Sequence, residues 1–196
     1  MTQLELPQLG GEQRTVSVLF ADVRGYTLLA EMMEPEEVMN VLNRRFQIAG
    51  SLIAEYGGTI SQYAGDQIMS IFNAPDDQPD HALRAVSAAL DTRAALLELD
   101  RHLVSGGQAS PLLFGIGVNT GPAVVGYLGF EDRFDYTAIG DAVNVAARLS
   151  GAANANEVLM GPQTYETVRG FIQTQPVGPV QLKGRSGPIM AYQALG

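Results

Sequence analysis

Two acidic residues stand where an apolar strand stops. Asp22 closes "RTVSVLFADV" (14–23), and Asp66 lies in the turn of "TISQYAGDQIMSIF" (59–72), which reads as two short apolar strands folded back on each other. An Asp in a hairpin turn is by itself usually a turn former. Its pairing with Asp22 gives it chemical weight, because two carboxylates held together in a cleft repel unless a proton or a cation sits between them. No His or Cys is near enough in the pattern to join them, and an all-oxygen site favours Mg²⁺ or Mn²⁺ over zinc. "FADVRGYT" adds a run of backbone N–H groups, from Arg24 through Gly25, Tyr26 and Thr27, that leads into a short helix, a geometry able to cradle phosphate oxygens. Further on, "GDAVNVAARL" sets Asn144 and Arg148 four residues apart on one helical face. That pair suits a phosphoryl group and a sugar oxygen. It is equally the pattern of a solvated Arg beside an Asn off the core face.

These residues can act together only if the fold gathers them. The chain reads as a strand to Val23, a turn at "RGYT", and a helix from Pro35 to the Gly57-Gly58 stop, with Val38, Leu42, Phe46 and Ile53 on one stripe. The hairpin around Asp66 follows, then an Ala-rich helix from about 79 to 102. "LLFGIGVNTG" and "PAVVGYLG" read as two strands hinged at Thr120-Gly121-Pro122, with "FEDRFDY" as a polar excursion. Next come the "GDAVNVAARLSG" helix, with Asp141 near its N-cap and Gly151 just past its end, a strand "EVLMG", a helix "PQTYETV", and edge strands near "PVQLKG" and "IMAYQAL". This order predicts an α+β fold: a ferredoxin-like, mainly antiparallel sheet with helices packed on one face. In that arrangement the first and third strands are antiparallel neighbours, so Asp22 and Asp66, 44 positions apart, become adjacent.

Composition narrows the chemistry. The 196 residues are 46% hydrophobic, enough for one substantial core, and we expect one domain over 14–196 preceded by a lead, 1–13, whose "QLGGEQ" resembles a linker. There is no cysteine, which excludes disulfides, thiolate metal sites and a Cys nucleophile. Twelve Lys+Arg against 21 Asp+Glu give a net charge of −9, which repels nucleic acid but admits a nucleoside triphosphate accompanied by divalent cations and a local arginine. The apolar runs are too short to cross a bilayer and no signal pattern is present, so this segment is expected to make no membrane contact. A cytoplasmic location is expected, including as the cytoplasmic part of a larger membrane protein. His81 and His102 read as cap or surface residues, and methionines such as Met32, Met33 and Met39 as core filler.

Four blocks, "VSVLFADVRGYT", "GTISQYAGDQIMSIFNAP", "GIGVNTGPAVVGYLG" and "RFDYTAIGDAVNVAARLS", resemble in wording and order the catalytic domain of class III nucleotidyl cyclases, the adenylate and guanylate cyclase family. The resemblance runs from about 12 to 195, including the closing "LKGRSGPIMAYQAL". It implies attack of a ribose 3′-hydroxyl on the α-phosphate of a nucleoside triphosphate, with loss of pyrophosphate. It assigns two Mg²⁺ or Mn²⁺ ions per site to Asp22, Val23 and Asp66, the transition-state arginine to Arg148, and orientation of the ribose to Asn144. It also implies a head-to-tail homodimer, with metal carboxylates from one chain and base, ribose and phosphate contacts from the other, and "YLGFEDRFDY" as a dimerisation arm. Arg133, Lys183 and Arg185 are candidates for phosphate contact or plain solvated charges. Fusion to a regulatory or sensor domain is expected.

The base-reading positions depart from the pattern. ATP-selective members carry a lysine four residues before the second metal carboxylate and an Asp or Thr beside the sheet. Here the latter is Thr137, as in one large subgroup, but the former is Gln62. A lysine ammonium only donates, whereas a glutamine amide both donates and accepts and so pairs with adenine or guanine. Guanylate-selective members typically have a glutamate there, which is also absent. Thr137 favours ATP, with GTP turnover expected as well; the alternatives are a guanylate or relaxed-specificity cyclase and a catalytically idle nucleotide-binding domain. A diguanylate cyclase or palm-type polymerase shares the paired acids, but no "GGDEF"-like hairpin is present.

Overall fold

The structure, a computed structural model, describes residues 10–105, 112–130, 133–181 and 187–196. Along the chain run β1 (Gly10–Val23), α1 (Tyr26–Met32), α2 (Pro35–Glu55), β2 (Thr59–Ala64), β3 (Gln67–Phe72) and α3 (His81–Ser105). They are followed by β4 (Phe114–Phe130), β5 (Arg133–Ile139), α4 (Asp141–Ala152), β6 (Glu157–Met160), α5 (Pro162–Val168), β7 (Thr174–Val180) and β8 (Ile189–Ala194). The strands form one sheet in the order β2-β3-β1-β4-β6-β8-β7, with β5 paired to β4 off that path; every pairing is antiparallel except β4 with β6.

β1 is the spine of this sheet, and its alternation feeds two cores. Leu19, Ala21 and Val23 face the layer made by α2, α3 and α5, together with Ile68, Phe72, Ile116 and Val118. Val16, Val18 and Phe20 face the other way and pack with Met69, Ile71, Val125 and Ala146 of α4. Helices therefore cover both faces, which corrects the one-faced arrangement expected from element order. A strand apolar on both sides must be covered on both, and β1 is such a strand.

α4 can lie directly on the sheet because β4 is stripped of side chains beneath it. Gly117 sits under the helix backbone: a Cβ there would lie 2.9 Å from the Leu149 carbonyl carbon and closer still to Ser150 N and Ala146 O. At Gly121 a Cβ would come within 3.2 Å of the Ala142 methyl. The alternating glycines of "GIGVNTG" are thus a helix seat.

Several boundaries differ from the sequence reading. β4 is a single strand of 17 residues, without a hinge at Thr120-Gly121-Pro122. Pro122 falls where β4 changes partner on one side, after Val118↔Met160 of β6 and before Val124↔Ile139 of β5, so its missing N–H interrupts no ladder there. "FEDRFDY" belongs to the β4–β5 hairpin, and β1 begins at Gly10, so "GGEQ" is strand paired with Val124–Tyr127. Gly126 makes that pairing tight, since a Cβ on it would meet Gly11 Cα at 2.7 Å. Gly151 lies inside α4, whose N-cap is Gly140 with Asp141 in the first turn. β7 starts earlier than "PVQLKG" and takes in only its first two residues, the last three lying outside the described residues. Met69 and Met160 are core residues, but Met32 and Met39 are 76% and 60% exposed, which corrects their reading as filler. His81 is half-buried, its Nδ1 2.9 Å from Ser17 Oγ in a cluster with Thr120 and Thr164.

Candidate active site

Asp22 and Asp66 do meet. β1 and β3 pair from Ser17↔Phe72 to Asp22↔Gln67, and the Val23 N–H donates to the Asp66 carbonyl at 3.1 Å. The residue that makes this turn tight is Gly65, at φ +63°, which lets two residues connect Ala64 to Gln67. Both carboxylates are half-buried. Asp22 has a cation beside it, Arg24 Nη1 at 2.8 Å from Oδ2, whereas no ion pair holds Asp66 among the described residues. Two hard oxygen donors with one unneutralised charge between them fit a small divalent cation. No cluster of three or more His, Cys, Asp or Glu occurs among the described residues.

Register also fixes which side of the sheet the site faces. Asp22 follows Phe20 on the α4 face, and Gln62, opposite Met69, points to that face as well. A bulge between Ile60 and Gln62 puts Ser61 out of step and allows this, while Tyr63 turns to the other face against Phe46, with ring centroids 5.4 Å apart. Thr137 is half-buried on β5 opposite Gly126, and β5 comes into contact with β2, the strand of Gln62. On α4, Val145, Ala146 and Leu149 are buried, leaving Asn144 exposed and Arg148 half-buried on the outer face. Arg148 has no ion pair or hydrogen bond among the described residues, including to either carboxylate.

The phosphate loop is only partly as the sequence suggests. Gly25 takes φ +83° as the N-cap of α1, Tyr26 packs on the main core, and Thr27 is exposed at the first turn. Arg24 is otherwise engaged: its backbone N–H donates to the Leu113 carbonyl at 2.8 Å, and its guanidinium is spent on Asp22, Ala153 and Ser150. Its backbone N–H and three of its five guanidinium N–H donors therefore have acceptors within the chain. The N–H of Val23 is likewise taken, by Asp66. Arg133 is exposed at the start of β5, and Lys183 and Arg185 lie outside the described residues. Sequence reasoning missed the Arg24 bonds, since nothing in a strand-ending "DVRG" signals contact with residues 126 and 129 positions away. The glycine alternation on β4 was the available sign that a helix lies there.

Comparisons with known proteins identify the family and the fold. Residues 11–196 match the family described as the adenylate and guanylate cyclase catalytic domain. Adenylate cyclase 1 of Rhizobium meliloti (strain 1021) is 32% identical, covering 98% of this chain and 30% of the relative. An adenylate cyclase of Anabaena cylindrica is 42% identical, covering 70% of this chain and 27% of the relative. This chain therefore spans less than a third of these curated relatives. Among solved structures, the adenylyl cyclase CyaB from P. aeruginosa superposes with a TM-score of 0.91 at 34% identity, covering 96% of this chain and 97% of that one. The guanylyl cyclase Cya2 follows at 0.87, also 34% identical, covering 96% and 95%. By the match over residues 11–196 and the 32% identity to a relative over 98% of its own length, the chain belongs to the adenylate and guanylate cyclase catalytic-domain family.

Proposed function

We propose that this domain is an adenylate cyclase, forming 3′,5′-cyclic AMP and pyrophosphate from ATP in a head-to-tail homodimer. The observation that carries the reading is the adjacency of Asp22 and Asp66 where β1 ends beside the β2–β3 turn, with the Val23 N–H donating to the Asp66 carbonyl. Asp22, the Val23 main chain and Asp66 would hold two Mg²⁺ or Mn²⁺ ions, which when bound supply Lewis acidity toward the 3′-hydroxyl and neutralise the triphosphate. Arg148 donates to the α-phosphoryl oxygens as negative charge grows on them, the bond from the 3′-oxygen to phosphorus forming as the bond to pyrophosphate breaks. That it has no ion-pair partner among the described residues supports this role. Asn144, one turn earlier, offers a donor and an acceptor to the ribose.

A second copy is proposed to bring Arg148 to the carboxylates, since among the described residues it is bonded to neither. The β4–β5 hairpin supports a dimer: Leu128, Phe130 and Ile139 are 58%, 77% and 60% exposed, an apolar surface that a partner copy covers. Gln62 and Thr137, on contacting strands, read the base. Thr137 favours adenine, and the two-way amide of Gln62 admits guanine as a slower substrate. An idle nucleotide-binding domain fits less well, since Asp22, Asp66, Asn144 and Arg148 are all present. We further propose that the domain is the cytoplasmic catalytic part of a longer, regulated protein. Among the described residues no helix is long and apolar enough to cross a membrane.

The test is turnover of ATP, GTP, CTP and UTP with Mn²⁺ and with Mg²⁺, on wild type and on Asp22→Ala, Asp66→Ala and Arg148→Ala. ATP is expected to lead with measurable GTP turnover, and each variant to lose about 10²-fold or more. A mixed dimer of Asp22→Ala with Arg148→Ala chains is expected to regain one working site. Clean GTP preference overturns the adenylate assignment, and no regain in a verified mixed dimer overturns the shared site.

A further inference from the structure

Arg24 lies two residues beyond Asp22, between the end of β1 and the start of α1, and its guanidinium makes three bonds. Nη1 donates to Asp22 Oδ2 at 2.8 Å, Nε donates to the Ala153 carbonyl at 3.0 Å, and Nη2 donates to the Ser150 carbonyl. Ser150 is in the last turn of α4 and Ala153 is its C-cap. A planar fork of donors holds its acceptors in one mutual geometry, and a cation is favoured at the carbonyl end of a helix. The slot is shaped for it. Gly115 stands directly opposite Asp22 in the β1–β4 register, and a Cβ there would fall 2.7 Å from Arg24 Cζ and Nε. With Arg24 24% and Asp22 22% exposed, the pair is not a solvent-screened surface bridge.

The geometry points to Arg24 as a positioning residue that fixes the Asp22 carboxylate to the C-terminal end of α4, and so acts on both halves of the nucleotide site. This rests on the shared-site reading above. Holding Oδ2 leaves Oδ1 to face a cation and stops the carboxylate from turning. Holding the Ser150 and Ala153 carbonyls anchors the helix that carries Asn144 and Arg148. In a head-to-tail dimer these two ends serve different sites, so one guanidinium ties the sites together within each chain. Groups hydrogen-bonded to a metal-binding carboxylate typically matter by about 10- to 100-fold in metal affinity or activity.

The mixed dimer separates the two ends. Its one working site takes Asp22 from the Arg148→Ala chain and Arg148 from the Asp22→Ala chain. Arg24→Gln in the chain supplying Asp22 is expected to weaken Mn²⁺ binding about 10-fold, read by electron paramagnetic resonance with Mn²⁺ alone, and to lower kcat. Arg24→Gln in the chain supplying Arg148, whose Asp22 is already replaced, is expected to leave Mn²⁺ binding unchanged while lowering kcat about 10-fold through α4. Arg24→Lys keeps the charge without the fork and should restore the Mn²⁺ affinity but not the kcat lost through α4. Gly115→Ala, which displaces the guanidinium without changing any charge, should reproduce both losses; thermal melts show that the compared proteins are folded. A kcat loss confined to one of the two placements or absent from both, or an Mn²⁺ affinity unchanged in the chain supplying Asp22, overturns the proposal. If the parent mixed dimer has no turnover, the shared-site reading fails, and unchanged Mn²⁺ affinity in the Arg24→Gln homomeric protein then overturns the Arg24 proposal separately.

Discussion

On the proposed reading of α4, Gly117→Ala should cripple nucleotide turnover without altering any proposed site residue. The added methyl would sit 2.9 Å from the Leu149 carbonyl carbon and nearer to Ser150 N and Ala146 O, against an ordinary contact of 3.4 Å or more. All three atoms are helix backbone, so no side chain can swing aside. α4 must move off β4 by about half an ångström to clear the Leu149 carbon, and by more to clear the other two. Overpacking of this kind costs about 1–3 kcal/mol. A displacement approaching 1 Å of a helix bearing Arg148 and Asn144 costs on the order of 10²-fold in turnover. Gly151→Ala is the matched control, because it lies in the same helix with nothing within 4 Å of its Cβ. There the helix should gain about 0.5–1 kcal/mol from the better helix former, with turnover unchanged. Urea unfolding gives the stability and cyclic nucleotide formation gives kcat. Equal behaviour of the two variants would refute the claim that Gly117 seats the catalytic helix.

Two further predictions concern stability. Arg45 and Asp100 form a 2.6 Å ion pair with side chains 3% and 6% exposed, and burial pushes the Asp100 carboxyl up and the Arg45 guanidinium down against their mutual attraction. Asp100→Leu alone strands a buried cation and should cost about 3–5 kcal/mol, whereas Arg45→Met with Asp100→Leu should be near neutral or stabilising; chemical denaturation of the double variant decides. His81 is pushed down by burial, which outweighs the attraction of Asp80. The folded state then binds this proton less readily than the unfolded chain, so its contribution is present above the unfolded pKa of about 6.5 and is lost as pH falls toward the lower folded value. Melts of wild type against His81→Gln between pH 7.5 and 5 should show, on the order of the whole window, a steeper loss in wild type.

Much was legible in the chain because it depends on local pattern. The β1 alternation, the Pro35 start and Gly57-Gly58 stop of α2, and the "PQTYETV" helix all follow from periodicity and end signals, which neighbouring residues impose on each other. The adjacency of Asp22 and Asp66 was legible one step further out, since it needed only the antiparallel pairing of first and third strands. The hairpin expected at Thr120-Gly121-Pro122 was not there, because a Pro is tolerated in a long strand where no neighbour asks for its N–H.

By itself the sequence determined which groups are available to the proposed site: two carboxylates without a soft ligand, an arginine and an amide one helical turn apart, and a glutamine where the resemblance would put a selective cation. Side-chain type and spacing suffice for that. Only the tertiary structure decided that α4 lies on the opposite face from α2 and α3, that glycines on β4 seat it, and that Arg24 is committed to Asp22 and the end of α4 rather than open to phosphate. Those outcomes depend on which carbonyls and which bare backbone the folded chain brings within reach of a long side chain. Residues more than a hundred positions apart carry no local sign of it.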